Sequence, residues 1–331
     1  MSAMAAILTR GWGWLVACLL LIGVLVASLL AGDLLLGPAE VWDAVTGRAD
    51  AFTTTVVLSW RLPRALAAVA FGAALGAAGA VFQSITRNPL GSPDVIGFNT
   101  GAYTGVLIVL LAVPAAGFTL IAGASLAGGL ATAALVVLFS RGAGLGGRTF
   151  ILTGIAVSAL LGATNTWLVY RTDTATATAG SVWAAGTLDS TRWHNLAPAL
   201  LGLAIATVIL VAVTPRLRIL ALGDDLTTAL GLRVRTSRVL LVTAAVALTA
   251  ITTASAGPIL FIALAAPHLA RVTLPRRHPI IAAALLGALL LSAADWLAAH
   301  AFAPAQLPVG AVTISIGGAY LVLTMLRRSN R

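Results

Sequence analysis

The chain has 331 residues, 60% of them hydrophobic and only 9% charged, with a formal net charge of +10. A soluble chain of this length could not bury so much apolar surface in one core. All 20 cations are arginine. Without lysine there is no P-loop and no Schiff-base amine, and the positive balance reads as loop arginine of a membrane protein rather than a nucleic-acid surface.

Ten apolar runs long enough to cross a bilayer lie at about 12–31, 65–85, 95–113, 118–139, 149–170, 196–213, 239–256, 259–274, 279–300 and 308–326. The alternation of a transmembrane barrel is absent. The first run is too long for the apolar core of a signal peptide, and its Cys18 reads as a small buried apolar residue. An even number of spans places both termini on one side. With both inside, only Arg48, Arg61, Arg64, Arg171 and Arg192 stay outside and the other fifteen arginines are cytoplasmic, as the positive-inside rule requires. Trp60, Trp193 and Trp296 then sit near outer span ends, where an aromatic belt is expected. Residues 1–331 therefore read as a single all-α transmembrane domain with a short cytoplasmic tail (1–11). Two longer outer segments (32–60 and 171–195) and one main inner loop (214–238) connect the spans. Spans two to five and seven to ten are offset by five, so any internal repeat would be inverted.

Along the second span, Gly72, Gly76 and Gly79 share a face and predict close helix packing. The stretch "RNPLGSPDVIGF" (87–98) breaks the chain between spans two and three, since the residue before proline avoids helix. Its Asp94 is placed to cap the next helix. On the fifth span Gly154, Ser158 and Gly162 recur every four residues, followed by Asn165 and Thr166. Ser158, Gly162, Asn165 and Thr166 are the candidates for a mildly polar pathway wall, with helix packing the equal alternative. "APHLAR" (266–271) is expected to close span eight, with His268 either in a conformational contact or in a helix-end hydrogen bond. Asp295 is the one acid inside a span; it reads as a structural carboxylate bonded to Arg61 or Arg64 rather than a proton relay. Neither a ring of acids nor a histidine or cysteine cluster marks a metal site.

The segment "LGDDLTTALGLRVR" (222–235) looks soluble in an apolar chain. Asp224 and Asp225 suit the first turn of a helix. Leu226, Ala229 and Leu230 make a short apolar stripe, and Gly231 suits the position just past the end. An apolar stripe needs a cover. A helix lying on lipid would carry cations rather than acids, so a docking helix for an intracellular partner is the better reading.

Four stretches, "RLPRALAAVAFGAALGAAGAVFQSITRNPLGSPDVIGF" (61–98), "LALGDDLTTALGLRV" (220–234), "GPILFIALAAPHLAR" (257–271) and "LPVGAVTISIGGAYLVLTML" (307–326), resemble the permease subunits of bacterial iron-siderophore and cobalamin ABC importers, the FecCD/BtuC-type family. The match runs from about residue 56 to the C-terminus, in the family's order. "SPDVIGFNTGAYTG" and "AHAFAPAQLPVGAVTISIGG" look closest to permeases for catecholate siderophores of the enterobactin type. The resemblance implies a BtuC-like type II importer fold of ten helices in a bacterial cytoplasmic membrane. It also implies a second permease subunit, two ATP-binding subunits that use ATP and Mg, and an extracytoplasmic binding protein that delivers a ferric siderophore. No cofactor is implied for this subunit. The loop matching Gly223, Asp224, Asp225, Leu226, Ala229, Leu230 and Gly231 would seat in the ATPase. Arg61 and Arg64 would meet acids on the binding protein, with interfacial anchoring as their alternative role. Where the family often has arginine after the acid matching Asp295, this chain has Ala299 and His300, and its usual glutamate before "LPVG" is Gln306. Cobalamin or haem import is the alternative within the family. A secondary transporter would need an intramembrane charge relay, and an intramembrane enzyme a nucleophile or metal cluster; the sequence shows neither.

Overall fold

The structure, a computed structural model, describes residues 12–32, 34–113, 116–140, 148–275, 278–301 and 306–329. The expected tail 1–11, together with Asp33, Arg141, Arg276, Arg277 and Arg331, lies outside the described residues. Fourteen α-helices are found among those described: α1 (Gly13–Leu30), α2 (Pro38–Thr46), α3 (Ala51–Thr54), α4 (Leu62–Thr86), α5 (Phe98–Ala112), α6 (Phe118–Phe139), α7 (Arg148–Tyr170), α8 (Thr174–Ala184), α9 (Trp193–Leu220), α10 (Asp224–Ala229), α11 (Val234–Ala256), α12 (Ile262–Thr273), α13 (Pro279–His300) and α14 (Val309–Ser329). Ten of them coincide with the ten apolar runs. Seven spans, Ala51–Thr86 counted as one, are long and apolar enough to cross a membrane; α5 and Val309–Tyr320 are shorter apolar helices.

The chain divides into two compact units. One comprises Met1–Gly76, Ala185–Pro198 and Ile259–Arg331. In it, the first half of α4 lies against α13 at backbone contact. A methyl added at Gly72 would sit 2.3 Å from the Gly287 carbonyl oxygen, and one at Gly76 would sit 2.1 Å from that of Ala283. Of the predicted glycine face, Gly72 and Gly76 are therefore packing positions. Lipid gives helices no hydrophobic reason to associate, so close backbone approach has to supply the attraction. The segment before α4 is built locally. The Gly37 N–H donates to the Glu40 carboxylate at 2.6 Å at the start of α2. Asp50 accepts from the N–H groups of Phe52 and Thr53, both at 3.0 Å. Leu36, Ala44, Val56 and Val57 form a small core beneath. Between α3 and α4 the chain makes one π-helical stretch, Thr55–Arg61. Pro63 follows at the start of α4 and has no N–H to continue the regular ladder, and the Leu62 N–H reaches back to the Val57 oxygen.

The other unit comprises Ala77–Ala184 and Ala199–Pro258. Here α5 and α6 approach through glycines: a methyl at Gly128 would meet the Gly101 oxygen at 2.3 Å, and one at Gly105 the Ala124 oxygen at 2.2 Å. Phe82, Phe98 and Phe150, each at most 1–2% exposed, fill the space around them.

Three expectations change. Asp94 does not cap α5, whose preceding residue Gly97 has φ 81° and no side-chain cap; Asp94 lies in a 3-10 turn (Pro93–Ile96) and accepts a hydrogen bond from the Asn99 amide at 2.9 Å. Pro267 does not interrupt a helix: residues 266–271 fall in the last turns of α12, which runs on to Thr273. Only five residues of α12 precede the proline, so its ring disturbs little of the ladder. Cys18 is exposed on α1 rather than buried. In an apolar span, sequence alone cannot say which side faces lipid. The only non-glycine residues with positive φ among those described are Arg87 and Phe261. Arg87 directly follows α4, and Phe261 directly precedes α12.

Gly287→Val should lower the unfolding midpoint of the detergent-solubilised protein, at a cost of about 1–3 kcal/mol from overpacking. The same change at Gly23, where nothing lies within 4 Å, should leave the midpoint unaltered.

Candidate coupling and docking sites

In the unit holding Ala199–Pro258, α9 runs on to Leu220, a full two turns beyond the apolar run expected to end near 213. Arg218 lies in its last turn, where a cation suits the negative end of the helix dipole. The chain then reverses into α10. Asp224 and Asp225 occupy its first turn and Gly223 precedes it. Its end follows the predicted glycine: Gly231 has φ 80°. Its N–H donates to the Thr228 oxygen at 2.9 Å, and that of Leu232 donates to the Thr227 oxygen at 3.1 Å. That pair of bonds is the Schellman closure.

Thr227 is the inward anchor of α10. It is fully buried, and its hydroxyl donates to the oxygens of Ile219 (3.0 Å) and Gly223 (2.6 Å). Opposite it Leu226 and Leu230 are 56% and 61% exposed, and Ala229 is exposed beside them. Leu222 adds a third large apolar side chain, also 56% exposed. Asp224 is tied inward, to Arg238 at 2.7 Å and to Arg87 at 4.0 Å, whereas Asp225 is exposed. The arrangement is a small rigid knob: one polar residue buried, an apolar stripe and one acid offered outward.

The candidate pathway residues lie on α7 in the same unit. Ser158 Oγ and Thr100 Oγ1 are 3.0 Å apart. The Asn165 amide donates to the Thr100 oxygen at 3.1 Å, and Asn165 is 5% exposed. These two side chains join α7 to α5. Gly162 has no atom within 4 Å of where a side chain would begin. Thr166 is exposed, its hydroxyl bonded to the Gly162 oxygen at 3.0 Å. The four residues thus divide between a packed side and an open side of one helix.

In the unit holding α13, Arg64 and Asp295 meet through two parallel hydrogen bonds, Nε to Oδ2 at 2.9 Å and Nη2 to Oδ1 at 3.0 Å. Arg64 Nη1 also lies 2.6 Å from Asp189 Oδ1. The Asp295 side chain is 7% exposed, and that of Asp189 is 41% exposed. The forked guanidinium is the side chain suited to two carboxylates at once. Arg61 turns to backbone instead: Nη1 donates to the Leu29 oxygen at 2.8 Å and to the Leu30 oxygen at 3.3 Å, and Nη2 to the Leu34 oxygen. It serves carbonyls at the end of α1 that have no partner in their own helix. Asp189 was missed in the sequence, because nothing in "GTLDSTR" marks it as a partner of a residue 125 positions earlier. His268 stands edge-on to Tyr320, ring centres 5.7 Å apart. No group of three or more potential metal ligands is found among the described residues.

A chain of apolar helices packed through small residues, with an outward-facing soluble knob, defines a polytopic membrane permease. It belongs to the FecCD transport family, whose model matches residues 19–327. Among its relatives, the ferric enterobactin transport system permease protein FepG of Escherichia coli (strain K12) is 45% identical over 325 residues, covering 96% of this chain and 97% of that protein. The iron(3+)-hydroxamate import system permease protein FhuB of Salmonella typhimurium (strain LT2) is 33% identical over 323 residues, 93% of this chain but only 46% of that protein. A solved inward-facing ABC transporter assigned to the metal-chelate type superposes with a TM-score of 0.83 at 28% identity, covering 94% of this chain and 97% of that one.

Arg64→Ala leaves the buried Asp295 carboxylate without its cation and should cost about 3–5 kcal/mol. Thermal unfolding in detergent should show that loss, and Arg64→Ala combined with Asp295→Ala should recover most of it.

Proposed function

We propose that this chain is a permease subunit of an ATP-driven importer that moves a ferric siderophore, of catecholate type, across the bacterial cytoplasmic membrane. The observation that carries the reading is α10, with Leu226, Ala229, Leu230 and Asp225 offered outward on an anchored knob. Such a stripe is complementary to a cleft on a partner protein. The 45% identity with the ferric enterobactin permease FepG supports the cargo class.

Both termini and α10 lie in the cytoplasm, and two ATP-binding subunits seat there and hydrolyse ATP with Mg. This subunit itself performs no chemistry and binds no cofactor. A second permease subunit completes the path. The length relation to FhuB, of which this chain spans 46%, supports pairing, since that relative is long enough for two such units. A binding protein loaded with the ferric chelate docks on the outer surface carrying Arg61 and Arg64. There an acid of the binding protein competes with the half-exposed Asp189 for Arg64 Nη1. Ser158, Gly162, Asn165 and Thr166 contribute to the wall of the path, Thr166 on its open side. Closure of the ATPases pushes α10 and exchanges the side to which the path opens.

Two measurements test this. In a strain lacking the chain, uptake of radiolabelled ferric enterobactin should fall to background and return with the gene. Normal uptake of every chelate, haem and cobalamin would refute the assignment. Cysteine placed at Asp225 or Ala229 should crosslink to an ATP-binding subunit in the active assembly; crosslinks only to lipid or to a second permease would remove α10 from that role.

A further inference from the structure

We propose that Arg87 is the strut through which displacement of α10 reaches α4, and that it tightens when a partner covers it. The inference rests on the coupling role proposed for α10.

α10 has six residues, too few to hold a helix without outside support. Its supports differ in kind. Thr227 ties it to α9 through the Ile219 oxygen. Arg238, 18% exposed and 2.7 Å from Asp224, ties it closely to the start of α11. The third support comes from Arg87, which lies just past α4 and outside any helix.

Arg87 has φ 49°, a left-handed backbone that a residue with a side chain seldom adopts. The surrounding turn imposes it. Pro89 keeps Asn88 out of helix. The Asn88 carboxamide oxygen accepts the Leu90 N–H at 2.9 Å, and the Asn88 backbone oxygen accepts the Gly91 N–H at 3.0 Å. A methyl at Gly91 would lie 2.3 Å from the Thr86 hydroxyl, so the turn is closed tightly against the last residue of α4. Strain of this sort persists only where its surroundings over-determine it. Its effect here is to aim a long cationic side chain at the α9–α10 junction.

There a single nitrogen serves two acceptors. Arg87 Nη2 is 3.4 Å from the Leu220 oxygen, at the end of α9, and 4.0 Å from Asp224 Oδ1, at the start of α10. When α10 shifts against α9, these acceptors separate and the guanidinium follows one of them. If it follows Asp224, the end of α4 moves with α10. The two side chains are 60% and 52% exposed, so in water their attraction is weak and screened. A protein seated on α10 excludes that water and strengthens the pair. The strut is therefore slack before the ATPase docks and stiff afterwards.

The test uses the complete assembly in lipid vesicles, with its binding protein and radiolabelled ferric enterobactin as probe, and reads iron imported per ATP hydrolysed. Arg87→Met keeps the stem and removes the charge. It should retain the ATP-binding subunits and continue to hydrolyse ATP, while the ratio falls about tenfold, a typical coupling magnitude. Arg87→Lys should keep most of the ratio. In an Asp224→Asn background Arg87→Met should add no further loss. An unchanged ratio in Arg87→Met, or losses that simply add, would overturn the proposal. So would loss of the ATP-binding subunits from Arg87→Met assemblies, because Arg87 would then be a docking contact. Unmodified chain that recovers no ATP-binding subunit at all would refute the coupling role of α10, a result distinct from these.

Discussion

Hydrocarbon offers no hydrogen bonds, so each backbone N–H and C=O in it must be satisfied within the protein. That constraint makes every long element among the described residues a helix. It also makes each place where a helix stops a problem that some side chain has to solve. Arg61 occupies carbonyls at the end of α1, Thr227 one near the end of α9, and Arg87 the last of them at Leu220. The Trp193 indole donates to the Leu58 oxygen at 2.7 Å in the stretch leading to α4. Of the polar residues singled out in the sequence, Arg61 serves such an interruption, whereas Arg64, Ser158, Asn165, Thr166 and Asp295 lie within helices.

The same solvent removes the usual reason for helices to pack. Glycine and alanine replace it, letting α4 and α13 in one unit, and α5 and α6 in the other, meet backbone to backbone. Interfaces of that kind are sensitive to one methyl group, yet they need little side-chain chemistry. The polar side chains within the helices are thus free for specific links, such as those from the half-buried Ser158 and the buried Asn165 to Thr100. These links give α7 a fixed side towards α5, and they leave the Gly162–Thr166 side open.

Charge is treated differently at the two candidate sites. Arg64 and Asp295 are held in bidentate geometry and largely covered, so removal of either partner strands a charge. The acids of α10 are mostly exposed, and only Asp224 is tethered. One site is largely closed to solvent, and the other is left open to it. This difference follows from solvent access rather than from residue type, since both sites use arginine and aspartate.

The amino-acid sequence was sufficient for the ten helices, the packing glycines Gly72 and Gly76 of α4, the break at 87–98 and the acidic start and glycine stop of α10. Each of these depends on local composition: runs of apolar residues, small-residue spacing, proline before and glycine after. It did not determine which face of a span meets protein, and so Cys18 was misplaced. Nor did it show that Pro267 lies within α12, that Asp94 serves Asn99 rather than a helix end, or that Asp189 joins Arg64 and Asp295. Those outcomes depend on which distant segments are brought together. In spans that are apolar on every side, hydrophobicity no longer distinguishes inside from outside. Only the packed backbone decides which of the few polar groups find each other.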